Sequence, residues 1–411
     1  MVAAAWILAV GRRTITGLIR QTDGKRHWTL WYKFFSAYRW SELVVAQAIL
    51  SLVKDLFGLA RLVLVADDTL TGKTGPMIFG CGWFADHSAK PLRFLWGQNG
   101  VILGITVYLE EWKRWVCFPL ITRPYLRRQN CPKDWPFQTR LTLVADMIQE
   151  VLGGLEKAIQ GLSVILVADG AYAKKSLMAK LKKFSIPLVS RLPSTATLYE
   201  APVEPPGKKQ GRRRTWGRNL PKLSQIVETG GFTHLTVSMY GKDVTLWVKD
   251  FVALWKPAGG WIRVVITKSL VHPDRRRRIG YFFTTDLSLT PMEVISLVSS
   301  RWPIEQAIRD GKQLMGFGDA QVRLRSSVLR LTNFGLQLQS LIGLWFFAHH
   351  RCRQLKVVAP WYPQKVEFSF GDMLALLRRE MMNVRISALV GRLAARPRIL
   401  RAVVKLLRMA G

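Results

Sequence analysis

The apolar positions change their spacing along the chain. In residues 1–55 they recur at helical intervals: Trp28, Trp31, Phe34, Phe35 and Tyr38 fall three and four apart, with Lys25, Arg26, Lys33 and Arg39 among them. That period predicts amphipathic helices. Their aromatic side is either a small core or, because basic residues interleave it, a contact surface. From Arg61 the pattern becomes short continuous apolar runs, as buried strands require. Arg61-Leu62-Val63-Leu64-Val65-Ala66 leads into Asp67-Asp68-Thr69, and Ser163-Val164-Ile165-Leu166-Val167-Ala168 leads into Asp169-Gly170. Segments 78–84, 101–109 and 115–121 are rich in β-branched and aromatic residues and predict further strands. A basic loop with three prolines is expected over 123–140. Helical periodicity returns over 137–160 and 173–184, and 186–190 predicts one more strand.

Residues 191–290 differ again. Proline and glycine are frequent around 193–221, and strand patterns follow at 234–240, 244–248, 261–267 and 279–285. Tyr240-Gly241-Lys242-Asp243 suits a hairpin turn. Thr290-Pro291-Met292-Glu293 is a helix start: threonine caps, proline fits the first turn, and glutamate completes a capping box. That helix is expected to break or kink near Trp302, because Pro303 disfavours α geometry at the residue before it. A second helix runs to about Met315 and stops near Gly316. A long apolar helix over 328–349, a link containing Pro360 and Pro363 and a basic helical tail complete the chain. The division is a helical region (1–55), an α/β core (56–190), a β-rich insertion (191–290), the core's second part (291–350) and a basic helical region (351–411).

Composition sharpens this. The chain has 411 residues, with 61 Lys+Arg against 27 Asp+Glu and a formal net charge of +34. Solubility asks for far less, about 2–8 in a small domain. An excess of this size fits a polyanion, usually DNA or RNA, with a membrane surface as the alternative. The basic loop at Arg212 to Arg214, the 123–140 region and the tail, with seven Arg or Lys beyond Glu380 and no acid, become candidate backbone contacts, and the N-terminal helices a candidate DNA-contacting module. Cys81, Cys117, Cys131 and Cys352 are scattered, without a C-x-x-C pair, which fits a reducing cytosol. The apolar start precedes Arg12 and Arg13, the reverse of a signal peptide. The uncharged run 331–348 holds Asn333, Gln337, Gln339 and Ser340, so it is expected to be a buried helix, not a membrane span.

Three acids carry the candidate chemistry: Asp67 and Asp169, each ending an apolar run, and Glu305 on a helix. Arg301 lies four residues before Glu305 and Lys312 seven after, near one helix face. Taken alone, each acid reads as an ion pair or a cap. Together, acids leaving buried strands need solvent or a cation, and open α/β sheets place ligands at the carboxyl ends of their strands. The set suits an oxygen-ligand site for Mg²⁺ or Mn²⁺, of the kind that clamps both oxygens of an in-line phosphoryl displacement. Gly72-Lys73-Thr74 is not a nucleotide loop, because the first glycine of that motif would be Asp67. No H-E-x-x-H or G-x-S-x-G occurs.

In this order the residues resemble the DDE transposases of bacterial insertion sequences. Arg301, Glu305 and Lys312 match the Tyr-x2-Arg-x3-Glu-x6-Lys signature of one branch that carries a β-strand insertion; Val298 stands at the tyrosine position. Asp67-Asp68-Thr69 matches that branch's Asp-x-Thr, which favours Asp67 over Asp68 as the metal ligand, with Asp68 the alternative. The resemblance implies a ribonuclease H-like mixed-sheet core interrupted by the insertion, with helical regions at both ends. It implies catalytic and metal-binding roles for Asp67, Asp169 and Glu305, two Mg²⁺ ions (Mn²⁺ substituting), cutting at terminal inverted repeats and joining of 3′-hydroxyl ends to target DNA. A hairpin route for the second strand is a secondary expectation. Arg301, Lys312, Lys73, Trp302, Arg212, Arg213 and Arg214 are the DNA-binding candidates. The partner is double-stranded DNA, with a homodimer in the synaptic complex, in the bacterial cytoplasm at the nucleoid. The alternatives are another ribonuclease H-like nuclease or resolvase, and a domesticated DNA-binding protein without catalysis.

Overall fold

The computed structural model describes residues 1–22, 26–86, 89–203, 214–239, 241–269, 278–350, 360–365 and 367–393. The N-terminal region is helical, as its periodicity predicts: α1 (Val2–Leu8), α2 (Ile15–Ile19), α3 (Thr29–Ser36) and α4 (Glu42–Phe57). Thr14 and Ser41 cap α2 and α4 by accepting the backbone N–H groups of Gly17 and Val44. The aromatic side of α3 divides. Trp31 and Phe35 are buried, while Trp28, Tyr32 and Tyr38 face solvent.

One mixed sheet of eleven strands organises the chain. In sequence order these are β1 (Arg61–Gly72), β2 (Cys81–Asp86), β3 (Arg93–Leu109), β4 (Arg114–Tyr125), β5 (Ser163–Ala168), β6 (Leu188–Arg191), β7 (Leu198–Tyr199), β8 (Thr233–Met239), β9 (Lys242–Trp255), β10 (Gly260–Lys268) and β11 (Ile279–Thr284). Their spatial order is β2-β3-β1-β5-β6-β11-β10-β9-β7, with β4 also on β3 and β8 on β9. β1, β5 and β6 are parallel. Parallel neighbours need crossovers, and α5 (Arg140–Gly153) and α6 (Lys175–Lys183) supply helices before and after β5. The strands between 191 and 290 continue this same sheet through the antiparallel pairing of β11 with β6. A short helix, α7 (Leu223–Glu228), precedes β8. Met239 pairs with Lys242 across the hairpin turn, where Gly241 has φ +80°; Tyr240 lies outside the described residues.

After β11 come α8 (Pro291–Ser299), α9 (Trp302–Leu314), α10 (Arg325–His350) and α11 (Phe370–Leu393). Thr290 and Glu293 form the expected capping box. The break between α8 and α9 falls at Ser300 and Arg301, earlier than expected. Pro303 sits in the first turn of α9, where a missing N–H costs no intrahelical bond. Two other differences matter. β1 continues four residues beyond Asp68, paired with β3. The expected basic loop at 123–140 is partly regular: Arg123 ends within β4 and pairs with Glu42 and Glu150, and Arg140 opens α5.

The sheet is apolar on both faces, and strand alternation sorts the residues. Leu62, Leu64, Ala66, Leu166 and Ala168 share one core with Ile49 of α4, Val144 and Ile148 of α5 and Leu177 of α6. Val63, Val65, Ile102, Ile165 and Val167 share another with Val294 and Ile295 of α8 and Ile304 and Ile308 of α9. The polar residues of α10 bind the backbone of β4. The Asn333 side chain accepts from the N–H of Thr122 at 2.8 Å and donates to its carbonyl at 3.1 Å, and Gln337 donates to Leu120 at 3.0 Å. A buried helix uses polar side chains in this way. Among the described residues no helix is long and apolar enough to cross a membrane. The whole is a mixed α/β fold with a ribonuclease H-like core.

Candidate active site

The parallel ladder of β1 and β5 ends at Ala66 opposite Ala168. Asp67 and Asp169 are the next residues on each chain. Both share parity with the Val65 and Val167 face, the face covered by α8 and α9. Glu305 lies in the first turn of α9. The short apolar strands thus deliver two acids side by side, and the helix brings the third over the same face.

Arg301 sits between them. Its guanidinium approaches Asp67 Oδ2 at 3.5 Å and Glu305 Oε1 at 2.6 Å. Burial opposes the charge on Arg301, but the carboxylates of Glu305, Asp67 and Asp169 outweigh it and raise its pKa. Asp67 shows the opposite balance. Burial pushes its carboxyl up to about 6, against the lowering effects of the Asp68 N–H and Arg301, with Asp68 and Glu305 adding repulsion. An acid so perturbed by desolvation is a frequent mark of a functional site. A cavity of about 180 Å³ adjoins the group, lined by Asp169, Ser190, Arg191, Val298, Arg301 and Trp302 among others. Among the described residues, no three Asp, Glu, His or Cys side chains stand as a ready-made metal cluster. The bridging guanidinium takes up the space between Asp67 and Glu305.

Asp68, the alternative ligand, points to the other face. Its oxygens take Asn99 Nδ2 at 2.9 Å and the Tyr172 hydroxyl at 3.2 Å, and Arg140 Nε lies at 3.5 Å. Lys73 is 8% exposed and donates to the carbonyls of Gly318 and Ala320 at 2.7 and 2.8 Å. Its burial lowers its pKa to about 8. In this structure Lys73 ties the end of β1 to the loop after α9. Lys312 is half-buried and donates to the Leu70 carbonyl at 2.9 Å. Trp302 is 45% exposed at the cavity. Arg214 is exposed; Arg212 and Arg213 lie outside the described residues. Sequence reasoning did not single out Asn99, Tyr172 or Arg140. Their only signal was the second acid of Asp67-Asp68, which strand alternation sends to the opposite face.

Two family descriptions match this chain. The model of the DDE superfamily endonucleases matches residues 2–235, more than half of the chain and including Asp67 and Asp169. The model of the transposase DDE domain matches residues 144–331, which include Asp169 and Glu305. A comparison with curated proteins gave no match.

Proposed function

The chain belongs to the DDE superfamily endonucleases, and from that premise we propose that it is the transposase of an insertion sequence, with Asp67, Asp169 and Glu305 as its catalytic carboxylates. One observation carries the assignment. The three acids come from two neighbouring strands and a helix 136 residues further on (305 − 169), yet they meet one sheet face and share Arg301 as a charge partner. A surface ion-pair ladder along α9 does not require the two strand acids. The division into a core interrupted at 191–290 belongs to the same proposal.

Enzymes of the DDE transposase family work with divalent metal ions. The donor set fits Mg²⁺, with Mn²⁺ substituting, because three carboxylates are hard oxygen ligands. Asp67, Asp169 and Glu305 would hold two such ions, which would supply an activated water or 3′-hydroxyl and charge for the departing oxygen. The chain's own residues do the rest. Asp67, held in a desolvated strand position, gains from any positive charge placed beside it. Arg301 now supplies that charge, so loading the site requires Arg301 to turn away. A DNA phosphate offers its guanidinium a matching pair of acceptor oxygens. Lys312 lies further along the same helix, and Trp302 presents an exposed ring beside the cavity. In this proposal the enzyme cuts at terminal inverted repeats and joins the 3′-ends to target DNA as a dimer, with a hairpin on the second strand. Affinity falls with salt, with a log–log slope of about −0.9 for each phosphate neutralised.

Inverted repeats flanking the gene supply the substrate. With Mg²⁺ the wild-type protein is expected to cut and join a labelled repeat end, whereas Asp169→Asn and Glu305→Gln bind it and do neither. Cleavage without joining points to a different ribonuclease H-like nuclease. Undiminished cutting by Glu305→Gln removes the proposed site.

A further inference from the structure

Asp169 leaves the sheet at the point where its strand ends. Beyond Ala168 no ladder joins its segment to β1, and the chain turns directly into a short 3-10 helix, Gly170–Tyr172. The tie that remains is a side chain. The Tyr172 hydroxyl, on a residue 3% exposed, donates to Asp68 Oδ1 at 3.2 Å. Asp68 is itself fixed from two further directions, by Asn99 Nδ2 of β3 at 2.9 Å and by Arg140 Nε of α5 at 3.5 Å. The Arg140 guanidinium also stacks over the Tyr125 ring of β4, 4.9 Å from its centroid. Three elements, the Gly170–Tyr172 turn, β3 and α5, therefore converge on one carboxylate behind Asp67. That carboxylate holds the turn that carries Asp169.

We propose that Asp68 is a positioning residue, and that the Tyr172–Asp68–Arg140 strap sets the separation of the Asp67 and Asp169 carboxylates from the opposite face of the sheet. This rests on the assignment of those two acids as the catalytic pair. The physical reason is geometric. Asp67 and Asp68 are consecutive on one strand, so a force applied at Asp68 fixes the backbone that presents Asp67. Tyr172 lies three residues after Asp169 across a hydrogen-bonded turn, Tyr172 N–H to Asp169 O at 2.9 Å. The strap thus closes a rigid loop that contains both acids. Partners that orient metal ligands typically matter by about 10–100-fold in metal affinity or activity. Burial, followed by the neighbouring Asp68 and Asp67 carboxylates, raises the Tyr172 pKa, so the phenol remains a donor across the working pH range.

Tyr172→Phe removes the strap while keeping the ring. The variant is expected to fold and bind repeat DNA as the wild type does. Its Mn²⁺ titration, followed by electron paramagnetic resonance without turnover, should shift about tenfold towards weaker binding. Amide exchange over residues 169–174 should quicken in the metal-free protein. Asp68→Asn keeps an acceptor for Tyr172 and should fall between wild type and Tyr172→Phe in both measurements. Asp67→Asn, by contrast, should lose Mn²⁺ binding altogether. Wild-type Mn²⁺ affinity and exchange in Tyr172→Phe overturn the strap. So does complete loss of metal in Asp68→Asn with a silent Tyr172→Phe, which makes Asp68 a ligand. If Asp169→Asn still cuts DNA, the catalytic assignment fails instead, and the two failures are told apart.

Discussion

Replacing Asp67 with asparagine should make the metal-free protein more stable while abolishing its chemistry. Burial lifts the Asp67 pKa from 3.8 to about 6, even with Arg301 3.5 Å away. The sign follows from linkage. A carboxyl whose folded pKa exceeds its unfolded value contributes stability below the unfolded pKa, and that contribution disappears as pH rises through the folded pKa. Relative to a neutral side chain, the ionised acid is therefore a burden at neutral and alkaline pH. A shift of about two units corresponds to about 3 kcal/mol at pH 8, and roughly half of that remains at pH 5. Asparagine escapes this cost but loses the attraction to Arg301, so the expected gain is about 1–3 kcal/mol. The assay is urea denaturation of both proteins in chelator at pH 8 and pH 5. Asp67→Asn should unfold at higher urea at pH 8, by a margin that narrows at pH 5. Adding Mg²⁺ should reverse the order, because only the wild type gains stability from binding. A variant no more stable than wild type at pH 8 without metal would show that the site holds no such strain.

The remaining predictions separate structural from functional cations. Lys73→Met leaves the carbonyls of Gly318 and Ala320 without their donor, so urea denaturation should show a loss of about 1–3 kcal/mol. The salt slope of DNA binding should not change, and a slope reduced by about one phosphate would return Lys73 to the DNA surface. Arg301→Gln removes the guanidinium from between Asp67 and Glu305. Mn²⁺ should then bind several-fold more tightly in the absence of DNA, on the order of 1 kcal/mol, while cleavage of repeat DNA is lost. Weaker Mn²⁺ binding in this variant would mean that Arg301 supports the metal site and does not compete with it.

How far the fold and site can be read from sequence depends on the range of each interaction. The runs 62–66 and 163–168 announce buried strands because period and composition are local properties, and the Thr290–Glu293 capping box is local too. Choosing between Asp67 and Asp68 is harder. Both faces of β1 are apolar, so alternation separates the two acids without saying which one meets Glu305. That is decided by α8 and α9, more than 200 residues later, which cover the Val63 and Val65 side. The surroundings of Lys73 are out of local reach for the same reason. Next to Gly72 and Thr74 it resembles a phosphate ligand, and only the distant carbonyls of Gly318 and Ala320 show why it is buried. At Pro303 two local rules compete. The restriction on the preceding residue suggests a break at Trp302, whereas the tolerance of a first turn for proline lets α9 begin there. The earlier break leaves Arg301 as the N-cap, just outside α9, within reach of both Glu305 and Asp67. An i,i+4 pair that periodicity reads as a surface ladder thereby becomes the link between helix and sheet. Under the proposed assignment, the same pair must open before Asp67, Asp169 and Glu305 can face a common cation.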